Sequence, residues 1–147
     1  MYDADVQKPT RAPIGLLLAN TAKALNRAFD DTLAAAGGSA PVWLILISLK
    51  SQPMASQREI AAAVGIQGAT LTHHLNAMEN DGLITRSRDP ENRRVHQVRL
   101  TGKGEDLFLR LARAARAHDR RLRAGFSEED VETLEKLLTR MRANVTG

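Results

Sequence analysis

Apolar residues recur at intervals of three and four along most of this chain, and that pattern is interrupted only once, between Gly82 and Thr101. Over residues 13–36, Leu17, Ala24, Phe29 and Leu33 lie among Asn20, Lys23, Arg27 and Asp30, which predicts a long amphipathic helix stopping at Gly37-Gly38. Ser39 stands where an N-cap belongs. Residues 41–50 then run almost wholly apolar through Val42, Trp43, Leu44, Ile45, Leu46 and Ile47, so this second helix is expected to be covered on nearly all sides as the pillar of the core. Ile60, Ala61 and Val64 predict a short helix ended by Gly65, since glycine tolerates the left-handed backbone of a sharp turn. In the next helix Leu71, Leu75 and Met78 form the buried stripe. Ala69, Thr72, His73 and Asn76 are left on the opposite face, with Thr70 at its edge.

Beyond Gly82 the period becomes two. Residues 83–88 read as a strand, Asp89-Pro90-Glu91-Asn92 as a turn and residues 95–100 as the returning strand, with Arg86, Arg88, Arg93 and Arg94 clustered around the turn. Exposed hairpins often carry arginine merely to blunt an edge, but here the cluster follows a helix–turn–helix pattern. Thr101 opens another long helix, apolar at Leu107, Phe108 and Leu111 and rich in arginine over residues 110–123. Ser127 and Asp130 resemble a capping box, and Val131, Leu134, Leu138, Met141 and Val145 give the last helix a stripe that needs a partner surface. That partner is either this chain's first helix or a second copy. The second copy is favoured, because a two-fold pair doubles a DNA-reading surface and matches a palindromic site.

The whole is therefore expected to be mainly α with a small β-hairpin wing: a winged helix–turn–helix over residues 39–101, flanked by dimerisation helices over residues 1–38 and 102–147. Charge sharpens this picture. The 147 residues carry a formal +4, yet residues 84–123 hold twelve Arg or Lys against five Asp or Glu, a net +7, and the remainder nets −3. A basic block within a nearly balanced chain suggests a polyanionic partner at one surface. The absence of cysteine excludes disulfides, thiolate metal sites, a cysteine nucleophile and thiol redox sensing. No apolar run approaches the roughly 20 residues that span a bilayer, and residues 1–10 are polar and acidic, so a cytoplasmic protein without a membrane partner is expected.

Several local patterns, each weak alone, stand together in register: Gln57-Arg58-Glu59-Ile60-Ala61, Gly65-Ile66, Thr70-Leu71-Thr72, Glu79, Gly82-Leu83-Ile84, the stretch from Arg88 through Asp89-Pro90-Glu91-Asn92 to Arg93-Arg94, and Leu100-Thr101-Gly102-Lys103-Gly104. In this the chain resembles the MarR family of bacterial winged-helix transcriptional regulators over nearly its whole length. The resemblance implies a homodimer clasped by its terminal helices, a recognition helix in the major groove and a wing at the minor groove of a double-stranded operator. By position, Gln67, Thr70, Thr72, His73 and Asn76 would lie over bases and nearby phosphates. Arg94 would enter the minor groove, while Arg86, Arg88 and Arg93 hold phosphates or brace the hairpin. The chain departs from the family at Gln67 and Ala69, which put the cap of the recognition helix in question, and at His73, where arginine is common.

The family also implies a small-molecule effector, often an anionic aromatic compound, bound between the dimer helices and the reading region. Leu17, Asn20, Trp43, Leu46 and His74 are the candidate lining, although a lone tryptophan in an apolar helix is more often core. The expected function is a ligand-responsive repressor without cofactor, released from a pseudo-palindromic operator by a phenolic or other aromatic molecule. Two alternatives keep the DNA and change the control: a constitutive architectural binder, and a metal-responsive regulator using His73, His74, His96 and His118, which lack ligand spacing on one helix face. No metal site is assigned. Catalysis has no support, because HExxH, phosphate-loop, dinucleotide-glycine and Gly-x-Ser-x-Gly patterns are all missing, and the acidic residues sit mainly at helix starts.

Overall fold

The computed structural model describes residues 11–92 and 96–147, in which six helices and one two-stranded sheet follow in the expected order. Helix α1 (Ile14–Ala35) ends at the glycine pair: the amides of Gly37 and Gly38 donate to the carbonyls of Ala34 and Leu33, and Gly37 takes a φ of 93°. Helix α2 (Ala40–Ser51) begins where Ser39 Oγ accepts from the Val42 amide at 3.4 Å. Ile45, Leu46 and Leu49 of α2 are buried.

The cover over α2 is less complete than its apolar sequence predicts. Leu44 and Ile47, three residues apart on one face, remain 45% and 37% exposed. The reason is the short facing side chains of helix α3 (Gln57–Val64): Ala62 and Ala63 do not reach across, and a groove of about 640 Å³ is left between the two helices.

Helix α3 starts with a reciprocal capping box, in which Ser56 Oγ accepts from the Glu59 amide at 3.1 Å and Glu59 Oε1 accepts from the Ser56 amide at 3.2 Å. Gly65 then turns the chain with φ 74°, the left-handed conformation its position predicts. Helix α4 (Gly68–Asn80) buries Leu71, Leu75 and Met78 as a stripe against the core. Each such side chain contributes about 1.5–3 kcal/mol by leaving water, so the stripe outweighs the weak local propensity of a helix containing glycine and two threonines.

Strands β1 (Ile84–Arg88) and β2 (His96–Leu100) pair antiparallel with Ile84 opposite Leu100 and Arg86 opposite Val98. Ile84 and Val98 point into the core, and the Val98 amide donates to the Ala55 carbonyl at 3.1 Å, so the segment before α3 leans on the hairpin. Helix α5 (Gly102–Leu122) is capped by Thr101 and packs through Leu107 and Leu111, with Phe108 half-buried. Gly104 lies directly against the Leu83 carbonyl. Helix α6 (Glu128–Thr146) opens with the Ser127–Asp130 capping box, yet none of its residues is buried. No single described helix is long and apolar enough to cross a membrane.

Candidate nucleic-acid interface

The buried stripe of α4 determines which side chains it offers to solvent. Gln67, Ala69, Thr70, Thr72, His73 and Asn76 are all exposed, and His74 is half-buried at the flank with its ring 5.9 Å from that of His73. Thr72 turns its hydroxyl back to donate to the Gly68 carbonyl at 2.9 Å. Gln67 occupies the N-cap position in extended backbone, but its side chain makes no capping bond. The first amides of α4 are thus left without a side-chain acceptor.

The hairpin meets α4 through Arg86. Alternation along β1 puts Ile84 and Arg86 on the same face, so the arginine turns inward and retains only 18% of its side-chain exposure. Its Nη2 donates to Glu79 Oε1 at 3.0 Å and to Asn76 Oδ1 at 2.6 Å, and its Nε donates to Glu79 Oε2 at 3.4 Å. The guanidinium hydrogen-bonded to Glu79 holds that carboxyl below the ordinary glutamate range. Arg86 thereby joins the wing to the helix. Arg88 is exposed, and Asp89 Oδ1 steadies the turn by accepting from the Glu91 amide at 2.8 Å. Arg93 and Arg94 lie outside the described residues.

A second strap runs from the end of α4 to the start of α5. Thr101 Oγ1 donates to the Gly82 carbonyl at 2.6 Å, and Lys103 Nζ donates to the Asp81 carbonyl at 2.7 Å. Helix α4 is therefore held along its buried face, through Arg86 and at its C-terminal end, while its polar face stays open.

The five residues expected around an effector do not share one cavity. Leu17 and Asn20 are exposed on α1, Leu46 is fully enclosed in the core, and His74 belongs to the flank of α4. Trp43 does border an opening. It stacks on Phe108, with ring centroids 5.6 Å apart, beside a groove of about 730 Å³ whose rim carries Lys50, Arg116 and Arg120. His118 was not among the candidates for that lining, yet it is buried against Phe29 at 5.1 Å and its Nδ1 has no hydrogen-bond partner among the described residues. Its signal was its spacing, seven residues beyond Leu111 on the face that Leu107 and Leu111 bury. Among the described residues no group of three or more His, Asp or Glu side chains is placed to hold a metal.

A short helix, a glycine turn, a second helix with an open polar face and a braced hairpin define a winged helix–turn–helix. The model of the MarR family matches residues 39–96, which span this unit from the start of α2 to the first residue of β2. The HTH-type transcriptional regulator YdgJ of Bacillus subtilis is 32% identical over 92 residues, 63% of this chain. That alignment spans only 56% of the relative's length. Among solved structures, the repressor CouR bound to a 23-mer DNA duplex superposes with a TM-score of 0.79 at 24% identity, covering 97% of this chain and 98% of that one. BpsR of Bordetella bronchiseptica, whose DNA binding is regulated by 6-hydroxynicotinic acid, gives a TM-score of 0.74 at 23% identity over 88% of this chain and 98% of its own.

Proposed function

We propose that this chain is a sequence-specific double-stranded-DNA-binding transcriptional regulator, acting in the cytoplasm as a homodimeric repressor of a pseudo-palindromic operator. The observation that carries the reading is the open polar face of α4, fastened on its other sides and flanked by a basic hairpin. Gln67, Thr70, Thr72, His73 and Asn76 would meet the major groove, the uncapped amides of α4 would meet a phosphate, and Arg88, Arg93 and Arg94 would follow the backbone and minor groove. Arg86 has its guanidinium committed to α4, which favours the bracing role over a phosphate contact.

Dimerisation is supported by apolar surface that one chain leaves bare. Ile14, Leu16 and Leu17 on α1 and Leu134, Leu137 and Val145 on α6 are all exposed, and patches of this kind mark interfaces. Helices α1, α5 and α6 would form the two-fold contact and space the two α4 helices about one helical turn of DNA apart.

The groove beside Trp43 and Phe108 suits a small anionic aromatic effector, with the ring against the stacked pair and the charge toward Arg116 or Arg120. For a hundredfold release from the operator, the ligand must favour the released form by about 2.7 kcal/mol. Trp43 is the sole tryptophan, so its fluorescence reports this groove directly. In a screen of phenolic and other aromatic acids, a compound that quenches Trp43, raises Tm and frees DNA supports the reading. If no compound does so, the constitutive binder gains, a reading that the closed packing of Leu46 already favours.

A further inference from the structure

We infer that Lys50 is the cation that seats the carboxylate of an effector in the groove beside Trp43 and Phe108, and that Glu105 guards it by competing for the same ammonium. This rests on the effector reading above and names the regulation of that site. Lys50 stands in the last turn of α2 and Glu105 in the first turn of α5, the helix ends where the macrodipoles favour a cation and an anion. The dipoles account for the charges. They do not account for what the ammonium faces: its Nζ lies 2.9 Å from Glu105 Oε2 and 5.3 Å from the centre of the Phe108 ring, which stacks on Trp43.

Two openings meet at this side chain. One is the groove of Trp43 and Phe108, the other is a cleft of about 330 Å³ that includes Leu49, Pro53, Leu100 and Glu105, and among the residues lining the two Lys50 alone borders both. Glu105 draws the ammonium from the cleft side, while its place against the Phe108 ring leaves it within reach of an anion on the groove side. Arg116 and Arg120 are exposed on α5 and attract an acid from the rim, whereas Lys50 lies against the aromatic pair itself. The two side chains of the ion pair are 41% and 46% exposed, so it opens at low cost. An aromatic carboxylate in the groove gains the ammonium that Glu105 gives up. A neutral ring of the same shape gains nothing from the exchange. Glu105 is a positioning residue: it acts on effector affinity through Lys50.

The test titrates the full chain and its variants with benzoate and with the neutral benzamide, read by quenching of Trp43, with folding checked by circular dichroism. Glu105→Gln keeps the shape of the side chain and removes its charge, and it should tighten benzoate by about two- to fivefold, the range an exposed ion pair is worth, with benzamide unchanged. Lys50→Met should weaken benzoate. Adding Glu105→Gln to Lys50→Met should then restore nothing, which separates a contest for Lys50 from a general gain of positive charge. Quenching of Trp43 by iodide, compared with neutral acrylamide, needs no effector: it should rise in Glu105→Gln and be equal in Lys50→Met and the double variant. A benzoate affinity unchanged in Glu105→Gln, raised equally without Lys50, or matched by benzamide would overturn the inference, and so would iodide quenching that is the same in the parent and in Glu105→Gln. If iodide follows the expected order while neither benzoate nor any other aromatic acid of the screen binds any of these chains, it is the effector reading that fails.

Discussion

Replacing Gly104 with alanine puts two physical effects in direct opposition. Gly104 is in the first turn of α5, where alanine improves helix propensity by at most about 1 kcal/mol. Against this, a Cβ at Gly104 would be driven into the Leu83 carbonyl oxygen and would lie 3.0 Å from Leu100 Cδ2. The obstruction is backbone, and the same carbonyl accepts from the Thr101 amide at 3.0 Å, so it cannot withdraw without loosening the α4–α5 strap. Overpacking of this kind costs about 1–3 kcal/mol, and a weakened buried backbone bond adds about 1 kcal/mol more. The packing penalty should win. A net loss of about 2 kcal/mol corresponds to a fall in Tm of about 6 °C for a chain of this size. Thermal and urea unfolding of Gly104→Ala against the parent measure it, and an unchanged or raised stability would refute the close-approach argument.

At Gly65 a Cβ would meet nothing within 4 Å, so Gly65→Ala isolates the cost of φ 74°, about 1–2 kcal/mol by urea denaturation. Glu79 should titrate below the ordinary glutamate range, and its pairing with Arg86 should be complete above the unfolded value and lost as pH falls through the lowered folded one. Side-chain carboxyl NMR checks this, with Arg86→Met expected to return Glu79 to the ordinary range. DNA affinity should fall about a thousandfold or more between 50 and 200 mM salt if six to ten phosphates are contacted. Arg94→Ala should weaken binding strongly, and equal affinity in a filter or anisotropy titration would remove that side chain from the interface.

Local rules made much of the fold legible. The three-and-four spacing of Leu71, Leu75 and Met78, the turn at Gly65, the Ser127 capping box and the switch to period two after Gly82 each depend on residues close in sequence, and each stands where it was expected. The Ser56–Glu59 capping box is equally local, and Ser-x-x-Glu before an apolar run is the signal that marks it. The features that escaped are tertiary. Nothing in the sequence of α2 shows that Ala62 and Ala63 of another helix leave Leu44 and Ile47 uncovered. Leu46 and His74, expected to line one pocket, are separated by packing: Leu46 is enclosed in the core and His74 is half-buried at the flank of α4. Arg86 was legible in part: it alternates with Ile84, so an inward direction was readable, but its partners across the Gly82 turn were not.

Two chains on one duplex is the stoichiometry that a two-fold reading surface requires. Sedimentation velocity at micromolar concentration, on the protein alone and on its complex with a duplex selected from a random pool, reads both halves of the claim together. The free protein should sediment as two chains, and the complex should hold two chains on one duplex. A stable monomer that stays monomeric on DNA, or protein with no preference for any double-stranded fragment in low salt, would contradict it.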